Sequence, residues 1–92
     1  MSKLFPQQTH LLKILPPYFA AVVSGSKTFE IRDGDRDFRA GDKVVLREAV
    51  GNVYSGAVVH ADIGYVSWYG QKDGFVVFSL LNVGEIVYGE SP

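Results

Sequence analysis

Cysteine is absent from all 92 residues. That excludes disulfides, zinc–thiolate centres and thiol nucleophiles, and it fits a reducing compartment. Histidine is scarce: His10 and His60 stand fifty residues apart. No helical His pair exists, so no metal site is expected, and each His reads as a strand residue with a satisfied hydrogen bond. No apolar run approaches the length of a membrane span. The start, MSKLFPQQ, lacks the apolar core of a secretion signal. A cytoplasmic protein without membrane contact is expected. P-loop, glycine-rich dinucleotide fingerprint and nucleophile elbow are all missing, and no cofactor is expected. Internal repeats and low-complexity linkers are missing too.

What is present is a small packed domain. Hydrophobic residues make up 47% of the chain, with six Phe, five Tyr and one Trp. That composition belongs to a globule rather than a disordered chain. The length allows one domain, residues 1–92, with 1–8 as a loose leader. Net charge is −1, but unevenly spread: residues 1–47 hold eight Lys/Arg against five Asp/Glu, and residues 48–92 hold one against five. A basic half on a near-neutral whole supports a local positive patch.

THLLKIL (residues 9–15) reads as a first strand, ended by Pro16-Pro17. PPYFAAVVSG then reads as a helix of about two turns, opened by proline and closed by Gly25. Tyr18 and Val22, at helical spacing, read as core contacts. From Lys27 the period switches to two. Phe29 and Ile31 face one way; Thr28, Glu30 and Arg32 form a polar face that reads as the outer one. Further strands are expected over residues 43–50, 53–54, 57–66 and 75–80, with a short last one within 82–88. Gly51-Asn52 is a hairpin turn and Gly70–Gly74 another. Without alternating βαβ units, a parallel sheet is not expected. The fold class is mainly β (α+β), a small barrel of five to seven strands with one short helix after the first strand.

The stretch from Gly25 to Glu48 carries a recognisable pattern. Gly25-x-Lys27-x-x-Glu30-x-Arg32 resembles the G-x-K-x-x-E-x-R signature of ASCH domains, in the PUA-like superfamily. Thr9-His10, Lys13, Tyr18-Phe19, Asp35-Arg36-Asp37-Phe38, Gly41-Asp42, Leu46-Arg47-Glu48 and Tyr54-Ser55-Gly56 extend the likeness to a small bacterial and phage branch, DUF3850, over about residues 9 to 80. Gly34 stands where that branch usually has Asn. Both residues tolerate a left-handed turn.

The resemblance implies a PUA-like barrel whose signature lines a cleft beside the early helix, and a role near RNA. RNA or a modified nucleotide is the implied partner. Some small members resemble hydrolases that cut RNA or deacetylate a modified cytidine. The amidohydrolase members use a threonine at the position of Glu30, which weighs against that acyl-transfer route here.

Candidate nucleic-acid-binding residues are Lys13, Lys27, Thr28, Glu30, Arg32, Arg36, Arg47, Trp68 and Tyr69. A base edge carries donors and acceptors, so a carboxylate beside cations can read it, where cations alone would hold phosphate. A helix end beside Lys27 offers a place for an anion. Exposed Trp68 and Tyr69 would stack on unpaired bases. Phe38 reads as an anchor pinning its loop to the core. In the alternative hydrolase, Lys27 and Glu30 are the catalytic pair, Glu30 activating water as general base. The sequence leaves protein partners and oligomeric state open.

Overall fold

The computed structural model describes residues 6–34 and 36–89. Most of the proposed leader, residues 1–5, and Asp35 of the signature stretch lie outside them. The rest of the leader is tied down: Gln7 Nε2 donates to the Gly41 carbonyl at 2.8 Å, and the Lys43 N–H to the Gln8 carbonyl at 2.8 Å.

The chain forms β1 (Thr9–Ile14), α1 (Pro16–Ser24), β2 (Phe29–Asp33), β3 (Lys43–Val50), β4 (Val53–Ser67), β5 (Phe75–Leu81) and β6 (Val87–Tyr88). One mainly β sheet, ordered β1-β3-β4-β5-β2 with β6 beside β4, curls into a half-barrel. The expected strands at 53–54 and 57–66 are one strand of 15 residues, bent by irregularities in its ladders. Such breaks add curvature without ending a strand.

The sheet is not a parallel one, and its other ladders are antiparallel, but β1 pairs with β3 in parallel. The connection between them comprises α1 and β2 together, long enough for a crossover although no simple βαβ unit is visible. β1 and β2 are the free ends of the sheet path, and no ladder joins them. The core lies within the curl, built from Leu12, Ile14, Phe19, Val22, Phe38, Leu46, Val59, Phe78 and their neighbours. Phe38 is the buried anchor anticipated.

No residue of β2 belongs to that core cluster. Glu30 stands opposite Phe78 and Arg32 opposite Val76 on antiparallel β5, and both partners are buried. Directly opposed residues share a face. The polar face of β2 is therefore the inner one, while Phe29 and Ile31 are exposed. Alternation identifies two faces without saying which is inside, so the expected orientation is reversed.

His10 and Asp42 form a buried pair at the base of the sheet. His10 Nε2 lies 2.9 Å from Asp42 Oδ2, and the carboxylate also accepts from the N–H groups of Gln8 and Arg39 at 3.1 and 3.2 Å. The His10 ring packs on Phe38, centroids 4.7 Å apart. The expectation of a satisfied strand histidine holds for His10, with Asp42 as its partner.

Gly34 has no left-handed backbone, so the reason expected for a small residue there is replaced by another. A Cβ would lie 2.6 Å from Trp68 Cζ3 and 3.0 Å from the Gly74 carbonyl oxygen. Trp68 packs onto this turn, and Gly34 leaves room for its ring. Gly34→Ala should push the ring outward and cost about 1 kcal/mol. Trp68 is the chain's one tryptophan, so a red shift of intrinsic fluorescence reads the displacement. An unchanged emission maximum would contradict it.

A charged cleft at the open seam of the sheet

The gap between β1 and β2 is a cleft of about 530 Å³, with α1 as its third wall. Two prolines open α1 and have no N–H to offer. The next two N–H groups, of Tyr18 and Phe19, both go to the Leu15 carbonyl, at 3.0 and 2.9 Å. The N-terminus of α1 thus has no donors left for an anion. Its other end closes at Gly25, left-handed at φ 85°, and the Lys27 N–H returns to the Ala21 carbonyl at 3.0 Å. The helix end beside Lys27 is therefore the carbonyl end. It favours the ammonium itself, not the anion anticipated from sequence.

Glu30 lies on the cleft floor, its side chain 4% exposed. Lys27 Nζ donates to Oε2, and Arg32 Nη1 to Oε1 at 3.0 Å. Arg32 Nη1 also reaches the Lys13 carbonyl at 3.0 Å, so one guanidinium spans from β2 to β1 where no ladder does. Lys27 Nζ lies 5.4 Å from the ring centroids of both Tyr18 and Phe29, close enough for cation–π attraction. The three charges sum to +1. Both oxygens of Glu30 already accept from cations, so the floor offers a guest mainly the spare N–H groups of Lys27 and Arg32. The mixed donor–acceptor edge anticipated from sequence becomes a donor edge supported by a carboxylate. Apolar wall is supplied by Ile14, Leu15 and Tyr18, with Phe29 and Ile31 at the rim.

Of the residues singled out in the sequence, Lys13, Lys27, Glu30 and Arg32 line this cleft. Lys13 gives it a carbonyl rather than a charge. Its ammonium bonds the Gly51 carbonyl at 3.1 Å and Asn52 Oδ1 at 2.7 Å. Arg47 stands beside Lys13 in register and stacks on Tyr54, guanidinium carbon to centroid 4.5 Å, with its Nε buried and without a hydrogen-bond partner. Thr28 is not at the cleft. It borders a separate groove with Tyr65 and Ser79, because β2 begins only at Phe29 and strict alternation does not reach back to it. Arg36 sits on the following loop, Nη1 3.5 Å from the Leu11 carbonyl. Trp68 packs on Gly34, and Tyr69 is exposed.

The sequence reading missed Tyr18, whose helical spacing suggested core. The structure leaves it exposed at the cleft mouth. Phe19, the next residue, turns into the core instead. Among the described residues no group of three or more His, Asp or Glu side chains could hold a metal ion, and no helix is long and apolar enough to cross a membrane.

The model of a domain of unknown function, DUF3850, matches residues 9–80, from β1 to the end of the core part of β5. The chain belongs to the DUF3850 family. This DUF3850 domain is also 39% identical over 54 residues to the "Uncharacterized 12.9 kDa protein in GpA 3'region" of Escherichia phage P2. That match covers 59% of this chain and 50% of the phage protein. The chain spans about half the length of this curated relative. The matched family segment contains the whole Lys27–Glu30–Arg32 clamp and the His10–Asp42 pair.

Proposed function

We propose that this DUF3850 domain is an ASCH-type, PUA-like RNA-binding module whose seam cleft receives a nucleobase. One observation carries the reading: a buried carboxylate holds two cations inward at the floor of a cleft with aromatic and aliphatic walls. Ligand pockets combine largely apolar walls with a few convergent polar groups, and this volume falls within their usual range. A planar base fits between Tyr18 and the β1 edge, its carbonyl oxygen or ring nitrogen accepting from Lys27 and Arg32. Unpaired bases suit such a slot, since stacking is available only when they are splayed out. Phosphates would follow the basic rim, where Arg36, and beyond β1 the Lys13–Arg47 pair, supply positive charge.

The test is binding of short single-stranded RNA at several salt concentrations. Affinity is expected to fall with salt on a slope reporting a few phosphate contacts. Tyr18→Ala touches neither oxygen of Glu30. It should weaken binding by about 1–3 kcal/mol, or roughly 5- to 150-fold, and lower the melting temperature only slightly, through the lost cation–π contact with Lys27. Arg32→Ala should weaken binding as well, at a cost in stability, because Glu30 then keeps one partner. Absence of saturable binding at low salt, with the fold intact, would overturn the proposal.

The hydrolase alternative meets two obstacles. Among the described residues that line the cleft Tyr18 carries the sole hydroxyl, so a covalent route finds no serine or threonine among them. A water route through Glu30 requires one of its cation contacts to open first. Incubation with acetylated cytidine and with single-stranded RNA should therefore give no product above a buffer blank. Product formation that is lost in Glu30→Gln would reinstate catalysis.

A further inference from the structure

A second cleft, of about 400 Å³, opens on the other side of α1, between the helix, β3, β4 and β6. Glu48 sits where the β3–β4 ladder breaks. Arg47 faces Val58 and Ala49 faces Tyr54, which leaves Glu48 alone against residues 55–57. Gly56 takes a left-handed conformation there, φ 93°, and its carbonyl accepts the N–H of Gly89 at 3.0 Å, which docks the end of β6 alongside. Ladder breaks of this kind re-aim side chains. Leu46-Arg47-Glu48 and Tyr54-Ser55-Gly56, two stretches the seam cleft does not use for its floor, face each other at this break.

The lining is chemically the opposite of the first cleft. Glu48 is half-buried, and no hydrogen bond or ion pair engages its carboxylate among the described residues. Among the described residues no Lys or Arg lines the pocket. Ser24, Ser55 and Tyr88 contribute hydroxyl groups, and Val23 and Ile86 apolar wall. A carboxylate partly removed from water without a counter-ion is costly, and a cation relieves that cost. An RNA strand would bring phosphates to the same negative charge and be repelled. We infer that this cleft is a second binding site, taking a primary ammonium or guanidinium group on a short apolar stem. The head donates to Glu48 and to the hydroxyl oxygens of Ser55 and Tyr88. The stem lies along Val23 and Ile86. The site is independent of RNA binding at the seam, and α1 separates the two.

The chemistry occurs both in free amines and in lysine side chains, so the test has an arm for each. The full chain, labelled with nitrogen-15, is titrated with cadaverine, with agmatine and with lysine capped at both ends, and with 1-pentanol as the neutral counterpart. Saturable shifts are expected at the amides of Glu48, Ser55 and Tyr88. Glu48→Gln should weaken the cations about tenfold, and Tyr18→Ala should leave them unchanged. Capped lysine binding as well as cadaverine assigns the site to protein side chains, and cadaverine or agmatine alone to free amines. Because Glu48 has no partner to lose and its charge is uncompensated, the Gln variant should melt at or above the parent, and Ser55→Ala gives a second, milder variant. Equal binding of pentanol, unchanged affinity in Glu48→Gln, or shifts scattered over Asp73 and Glu85 would each overturn the site.

Discussion

Glu30→Ala is expected to lower the stability of the domain by about 3 kcal/mol, the low end for breaking a buried ion cluster from one side. The carboxylate is the shared acceptor of Lys27 and Arg32. Without it, two cations with side chains only 19% and 25% exposed face each other across the cleft floor. Their partial exposure lets water recover part of the loss, which keeps the effect below the upper values. A domain of this length has a total stability of roughly 5–14 kcal/mol, so the change is large. Urea titration of parent and variant measures it. Glu30→Gln keeps the shape and one acceptor oxygen and should cost less than the Ala variant. A midpoint for Glu30→Ala indistinguishable from the parent would mean that the clamp is solvated and adds nothing to the fold. Replacement of Glu30 by Leu is the sharper contrast. It would restore apolar packing beside Phe78 but still abandon both cations.

Asp42→Ala should cost about 2–4 kcal/mol, because three donors lose their acceptor in one step. Two are backbone N–H groups, of Gln8 and Arg39, and the third is the His10 ring. The loss would loosen the leader, the loop after β2 and the β1–β3 pairing together. Burial alone pushes the Asp42 carboxyl upward. The hydrogen bond to His10, with those from the Gln8 and Arg39 N–H groups, outweighs it and holds the group below its ordinary value of 3.8. A depressed folded value means that the contribution is complete above the unfolded value and is lost as pH falls through the folded one. Parent stability should therefore fall as pH drops below about 4, and Asp42→Ala should fall less over the same interval. Asp62 is also held low, by Lys43 and then Asn82. It is present in both proteins, so the difference between the two curves isolates Asp42. Parallel curves would show that the carboxylate is not the source.

Much of the local architecture could be read from the chain. Pro16-Pro17 and Gly25 bound the helix, Gly51-Asn52 makes the β3–β4 hairpin, and KVVLREAV is β3 in full. These features depend on single-residue backbone preferences and on short-range periodicity, which a sequence carries directly. Alternation grouped Thr28 with Glu30 and Arg32, and only the likeness to the G-x-K-x-x-E-x-R signature placed Lys27 with them; the structure keeps Lys27, Glu30 and Arg32 in the cleft and leaves Thr28 out. Three things were not legible. Alternation in FEIRD gives two faces and no inside, and the register with β5 made Glu30 the inner one. The parallel pairing of β1 with β3 depends on a connection that itself contains a helix and a strand. The contact of Trp68 with Gly34 joins residues that no periodicity relates.

The amino-acid sequence alone determined the helix, the main turns and most of the strands, that the domain is small and mainly β, and that its charge gathers in the stretch from Lys27 to Glu48. The curl of the sheet decided the rest: that β1 and β2 end as unpaired neighbours, that a carboxylate lies inside the gap, and that a second, acidic cleft opens behind the helix. The physical reason is one of range. Backbone preference and residue spacing act over a few positions, whereas burial and counter-ion choice are settled by strands that meet only after distant segments have paired.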